Sequence, residues 1–218
     1  MYWNLLLAHF LADYPLQPDW MVRSKARNRF ILLHIGVHFI VLLAIAGSAW
    51  RMLWPYLFVL ALVHLCIDLG KKYINRIKPV WVVTPYVIDQ LLHFLSILGI
   101  YLWIRRQHPS VNLLIPTRLA IYLVAFLVAT YIWFISERIL AYKNENYRRE
   151  MTIQQWPRIF SRAAFLTVFL LFSDGISPLA SVISLPYLSA RYGNRMLIID
   201  LAVTIVVFVF TRLALFLN

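Results

Sequence analysis

Four pairs of ionisable side chains recur at one spacing within the first 93 residues: His9 with Asp13, His34 with His38, His64 with Asp68, and Asp89 with His93. Positions four apart on a helix share one face, a turn from each other, so each pair makes a two-group polar stripe. Imidazole and carboxylate are together the donor set for zinc, manganese or iron, and the lone Cys66 leaves no basis for a thiolate site. Helix bundles build dinuclear centres from inward-facing acids and histidines on facing helices. The expectation is a site drawn from His9, Asp13, His34, His38, His64, Asp68, Asp89 and His93 that holds one or two divalent ions. Some of the carboxylates would orient histidines rather than bind metal, and Asp68 or Asp89 would serve as general base. The competing expectation is that the same groups only hydrogen-bond across helices and hold a bundle together.

The elements that must carry these stripes follow from composition. The 218 residues are 62% apolar and 14% charged, with a mean hydropathy of +0.73. Soluble domains run near ~45–50% and ~25%, so a soluble globular fold, a disordered tail and a disulfide scaffold are all excluded. Crossing a bilayer core takes about 20 mostly apolar helical residues. Segments 1–17, 30–50, 53–70, 82–104, 118–141, 163–188 and 195–217 qualify. The first stops at Pro15 and Pro18 and lacks the basic start and cleavage site of a signal peptide. The sixth contains SDGISP (173–178) and reads as broken, re-entrant or two short pieces, with Asp174 as a turn or cap residue. The fold class is therefore all-α, a polytopic transmembrane bundle of about seven spans. It forms a single domain over 1–218, with a four-span His/Asp core at 1–104, the remaining spans at 105–218 and a cytoplasmic loop at about 142–162.

Basic residues set the orientation. Lys and Arg within 23–29, 71–78 and 138–162 number fourteen, against six in the other loops, which favours N-out and C-in. The net charge of +12 then reflects topology and calls for no nucleic acid. Under that orientation Asp13, His34, Asp68 and Asp89 fall within roughly one turn of the cytoplasmic boundary, and His9, His38, His64 and His93 lie one turn deeper. Trp50, Trp54, Trp81 and Trp103 sit near span ends, as an aromatic belt would. Other polar residues read more plainly. Gln17 and Gln90 suit helix-end contacts, with orientation of a carboxylate or substrate binding the lesser reading; Lys71, Lys72, Arg23 and Lys25 suit topology charges, with phosphate binding the lesser reading. Asp200 suits an ion pair with Arg195 near the outer face, and His108 suits solvent. Stretch 142–162 has the polarity of an interfacial segment carrying Trp156.

The segments AHFLADYPLQPDWMVRSK (8–25), HIGVH (34–38), HLCIDLGKKY (64–73) and IDQLLHFLSI (88–97) resemble a bacterial membrane family known as domain of unknown function 3307. The resemblance covers roughly the first 100 residues and implies a multi-pass protein of the bacterial inner membrane. A looser likeness links the chain to membrane-bound metal-dependent hydrolases, which use His and Asp on their spans. No HExxH, GxSxG, P-loop or GxGxxG occurs. Three functions fit. The first is an intramembrane metal-dependent hydrolase acting on a lipid-like or amphiphilic substrate near the cytoplasmic interface. The second is a divalent-metal or proton transporter, which needs a polar path through both leaflets and has only Asp174 and Asp200 to continue one. The third is a non-catalytic assembly partner. The expected partners are membrane lipids and an amphiphilic small molecule.

Overall fold

The computed structural model describes residues 1–18, 28–108, 110–171 and 193–218. Arg23, Lys25, Arg27, Asp174, Arg191 and the SDGISP segment lie outside them. The described chain is helical and forms two compact units, Met1–Ala120 and Ile121–Asn218.

The first unit contains α1 (Tyr2–Asp13), α2 (Asn28–Ala46), α3 (Trp50–Ile77) and α4 (Val83–Gln107). Side-chain contacts fix their directions. His9 faces His38, and Asp13 faces His34, so α1 and α2 are antiparallel. Phe39 meets Phe58 while His34 meets Asp68, which reverses α3 against α2. Tyr56 meets Trp103 while Lys71 reaches Asp89, which reverses α4 against α3. Tyr2 against Tyr101 and Phe10 against Phe94 close α4 back onto α1. The result is a closed four-helix bundle. Its interior faces come from residues spaced three and four apart, such as Pro85, Asp89, His93, Ile97, Ile100 and Ile104 on α4. The opposite face of α4 exposes Leu91, Leu95, Leu98 and Leu102, an apolar surface that suits lipid rather than water.

Four helical segments among the described residues are long and apolar enough to cross a membrane: Arg29–Ile77, Val83–Gln107, Thr117–Leu140 and Arg195–Phe216. The first, of 49 residues, folds back on itself at Gly47, between α2 and α3. By contrast α1 has 12 residues and measures only about 18 Å, short of a ~30 Å hydrocarbon core. The helix α3, at 28 residues, runs seven residues past the expected end of its span and stops only before Pro79.

Gly47 makes the hairpin possible. Its φ is +58°, and a Cβ there would stand 3.0 Å from the Leu114 Cβ and 3.3 Å from the Leu114 nitrogen, which itself donates to the Ile45 carbonyl. Gly47→Ala is therefore expected to cost about 1–3 kcal/mol, read as a lowered midpoint of thermal unfolding, whereas Gly36→Ala, where nothing lies within 4 Å, should not.

The second unit holds most of α5 (Thr117–Leu127), a π-helical turn at Val128–Ile132, α6 (Trp133–Leu140), α7 (Glu145–Ile153), α8 (Gln155–Leu171) and α9 (Asn194–Phe216). The segment expected as a cytoplasmic loop is thus largely helical. Asn144 caps α7 by accepting from the Tyr147 backbone N–H at 3.0 Å. Arg158 and Arg162 are not loop charges, because both are fully buried. Asp200 pairs with them rather than with Arg195, whose guanidinium lies over the Tyr147 ring. Arg158 meets Asp200 and Phe169 meets Phe208, so α8 and α9 run parallel and start at one level. That arrangement disagrees with the C-in reading, which placed Arg158 and Asp200 toward opposite faces.

Candidate metal centre

Each helix of the first unit contributes one of the four spaced pairs, and the bundle brings all eight side chains together. His9, His38, His64 and His93 form a closed ring of imidazoles, one per helix. Their centroids are 5.6 Å apart for His9–His38, 3.8 Å for His38–His64, 4.0 Å for His64–His93 and 4.9 Å for His93–His9. The Asp13 carboxylate lies against this ring. Its Oδ1 is 2.9 Å from His38 Nε2, 3.0 Å from His34 Nε2 and 3.7 Å from His64 Nε2, and its Oδ2 is 3.4 Å from His9 Nε2. Asp68 bridges to His34 at 3.7 Å and to His93 at 4.0 Å, while Asp89 Oδ1 lies 3.5 Å from His93 Nε2. All eight are buried except Asp13, which is 12% exposed at its side chain.

Three groupings have donor atoms within 4.8 Å of one another: Asp13, His34, His38 and His64; His9, His64 and His93; Asp68, Asp89 and His93. A tetrahedral ion with donors at ~2.1 Å sets those donors about 3.4 Å apart, so small side-chain adjustments suffice. Among the described residues, Nε2 of His9, His64 and His93 and Oδ1 of Asp89 are buried without a hydrogen-bond partner. An unsatisfied buried polar group costs about 1–3 kcal/mol, and here four converge. A cavity of about 10 Å³, about the size of one water, lies against the ring, lined by His9, His38, His64 and His93 together with Ser96 and apolar side chains such as Leu5, Leu42 and Leu60. The donors present therefore fit a divalent metal, and buried His and Asp groups within binding distance could hold one.

The polar surroundings differ from the simplest reading of the sequence. The Gln17 amide nitrogen sits 3.0 Å from His34 Nδ1 rather than serving only a helix end. Gln90 donates to Asp89 Oδ2 at 3.1 Å and accepts from the Tyr14 hydroxyl at 3.3 Å. Lys71 is an ion-pair partner of Asp89, at 2.7 Å, in place of a topology charge. His108 is half-buried, with the Tyr56 hydroxyl 3.4 Å away. Toward the other end of the bundle, the interior is closed by Leu42, Leu53, Leu57, Ile97, Ile100 and Ile104.

A second ionic group was missed. In the second unit Arg158 donates to Asp200 at 2.6 and 3.0 Å and to Glu137 at 2.9 Å; Arg162 donates to Asp200 at 2.9 Å and to the Thr130 carbonyl at 3.1 Å. Tyr147 donates to Glu137, and burial together with that bond pushes its phenol up to about 12. The signal was present, because acids inside apolar spans require a base, and Arg158 and Arg162 stand four apart on one helical face.

No curated protein and no solved structure matches the chain, so the looser likeness to membrane-bound hydrolases gains no support there. Residues 1–122, which include all eight His and Asp side chains and cover more than half of the sequence, match the family described as protein of unknown function (DUF3307), and the chain belongs to that family.

Proposed function

We propose that this is a metal-dependent hydrolase embedded in the bacterial inner membrane with its N-terminus outside, acting on an amphiphilic substrate at the cytoplasmic side. The observation that carries the reading is the convergence of His9, His64 and His93, whose buried Nε2 atoms make no hydrogen bond, within metal-binding distance of one another. A bound zinc, manganese or iron ion would supply a water of pKa ~7 and polarise a carbonyl or phosphoryl oxygen. Asp89 is the better placed of the two proposed bases. It lines an apolar groove that opens outward between α3 and α4, and its Oδ1 faces His93 Nε2 at 3.5 Å, within reach of the cluster. Its Oδ2 is held by Lys71 and Gln90, which keeps the carboxylate oriented. Asp68 sits deeper, between His34 and His93, and suits a ligand or bridging role. The apolar closure beyond the histidine ring favours this reading over a transporter, which needs polar groups through both leaflets.

The test is metal content by mass spectrometry on protein purified without added metal or a chelating tag. One or two equivalents of a transition metal are expected, lost in His64→Ala and Asp68→Ala while helical content is kept. A metal-free protein that also fails to take up zinc, manganese or iron on titration overturns the hydrolase reading and leaves a packing role for the cluster.

A further inference from the structure

The groove beside the metal centre has a volume of about 410 Å³, within the ~300–1,000 Å³ range of small-molecule sites. From Val59 to Ile74 along α3 it extends about 22 Å, a length comparable to a long alkyl chain. Its walls are almost entirely apolar, with Leu62, Ile88 and Leu92 exposed along the opening. Polarity is confined to one end, where Lys71 and Asp89 stand.

These two groups do not cancel for an incoming head group. The Lys71 side chain is 31% exposed and Asp89 only 3%, so the ammonium is what a ligand meets. One of its three donors goes to Asp89, which leaves two to offer. The chain from Lys71 to Ile88 adds Lys72, Arg76 and Lys78 and no acid, so the field at that end is positive. Resting on the hydrolase reading above, we infer that the groove takes the alkyl chain of a single-chain amphiphile whose head is a phosphate, with Lys71 holding that phosphate beside Asp89 and His93. An apolar slot alone would accept any lipid tail; a cation at its mouth, in contact with Asp89 of the His/Asp cluster, selects the head.

The chain carries its own reporter, because its one cysteine, Cys66, is exposed in the groove. The experiment measures the alkylation rate of Cys66 by N-ethylmaleimide in phosphatidylcholine nanodiscs. The additions are hexadecyl phosphate, hexadecanol or inorganic phosphate. Hexadecyl phosphate is expected to slow labelling about tenfold, and the other two by less than about twofold. Lys71→Gln should erase the difference between phosphate and alcohol, and Lys71→Arg should restore it. Gly70→Leu places a side chain in the groove, where a new Cβ meets nothing within 4 Å, so it should remove protection. Equal protection by hexadecanol, or a Lys71→Gln variant that still discriminates, overturns the head-group assignment. Protection by inorganic phosphate alone, or by none of the three, overturns the groove. Metal content of the same samples separates the two ideas. Protection in a chain that binds no metal keeps the groove and removes the hydrolase, while bound metal without protection does the reverse.

Discussion

Asp200→Asn is expected to destabilise the protein by roughly 3–5 kcal/mol, among the largest effects a single substitution could have here. Two guanidiniums and two carboxylates meet in the second unit with Arg158, Arg162 and Asp200 all at 0% exposure. Their charges cancel. Neutralising Asp200 leaves two buried cations sharing Glu137, one of them at 3.9 Å. The Coulomb energy of a well-made pair roughly offsets its desolvation, so the loss comes from stranding the partner. The double variant Arg162→Met/Asp200→Leu removes one charge of each sign and should recover much of that loss. Thermal unfolding in detergent checks both. An Asp200→Asn protein that melts with wild type would mean that the group is hydrated and contributes little.

Asp13→Ala should weaken metal binding by at least about 10–100-fold, the range known for removing even an indirect partner of a metal ligand. This carboxylate approaches Nε2 of His9, His34, His38 and His64 within 3.7 Å, and so reaches histidines on three of the four helices. Its removal takes away a donor and a negative charge from a site rich in imidazoles. Asp13→Asn keeps the shape and loses the charge, so its affinity should fall between alanine and wild type. Competition against a chelator of known affinity, with circular dichroism as a check on folding, measures the series. Wild-type affinity in Asp13→Ala would move the ion to the Asp68, Asp89 and His93 end of the cluster.

The four stripes were readable in the sequence because a helix imposes its own geometry on residues four apart, and alternation of span direction sets their depth. Nothing beyond the local chain was needed to see that His64 and Asp68 share a face. Lys71 was misread for the same local reason. A lysine at the end of an apolar run reads as a loop charge, whereas its role is set by Asp89 on the next helix, 18 residues away. Arg158 shows the limit more sharply. Its burial depends on Glu137 and Asp200, 21 and 42 residues away on two other helices, and no window of sequence contains that information. The end of α3 was misplaced because hydropathy falls at Lys71 while backbone propensity stays helical until the proline at 79.

The π-helical turn at Val128–Ile132 gives the span around it an unusual tolerance. Deleting one residue from an ordinary α-helix rotates everything beyond it by about 100°, which would swing Glu137 away from Arg158. A π turn is a helix that already carries one residue in excess, absorbed in a single widened loop of backbone. Removing one residue between 128 and 132 would return that stretch to α-helical winding and keep the faces on either side in register. What would be lost is local: the Thr130 carbonyl, which in the wide turn accepts from Arg162 as well as from the Trp133 N–H, would be moved away from the guanidinium. The surplus residue thus serves the arginine, not the course of the helix.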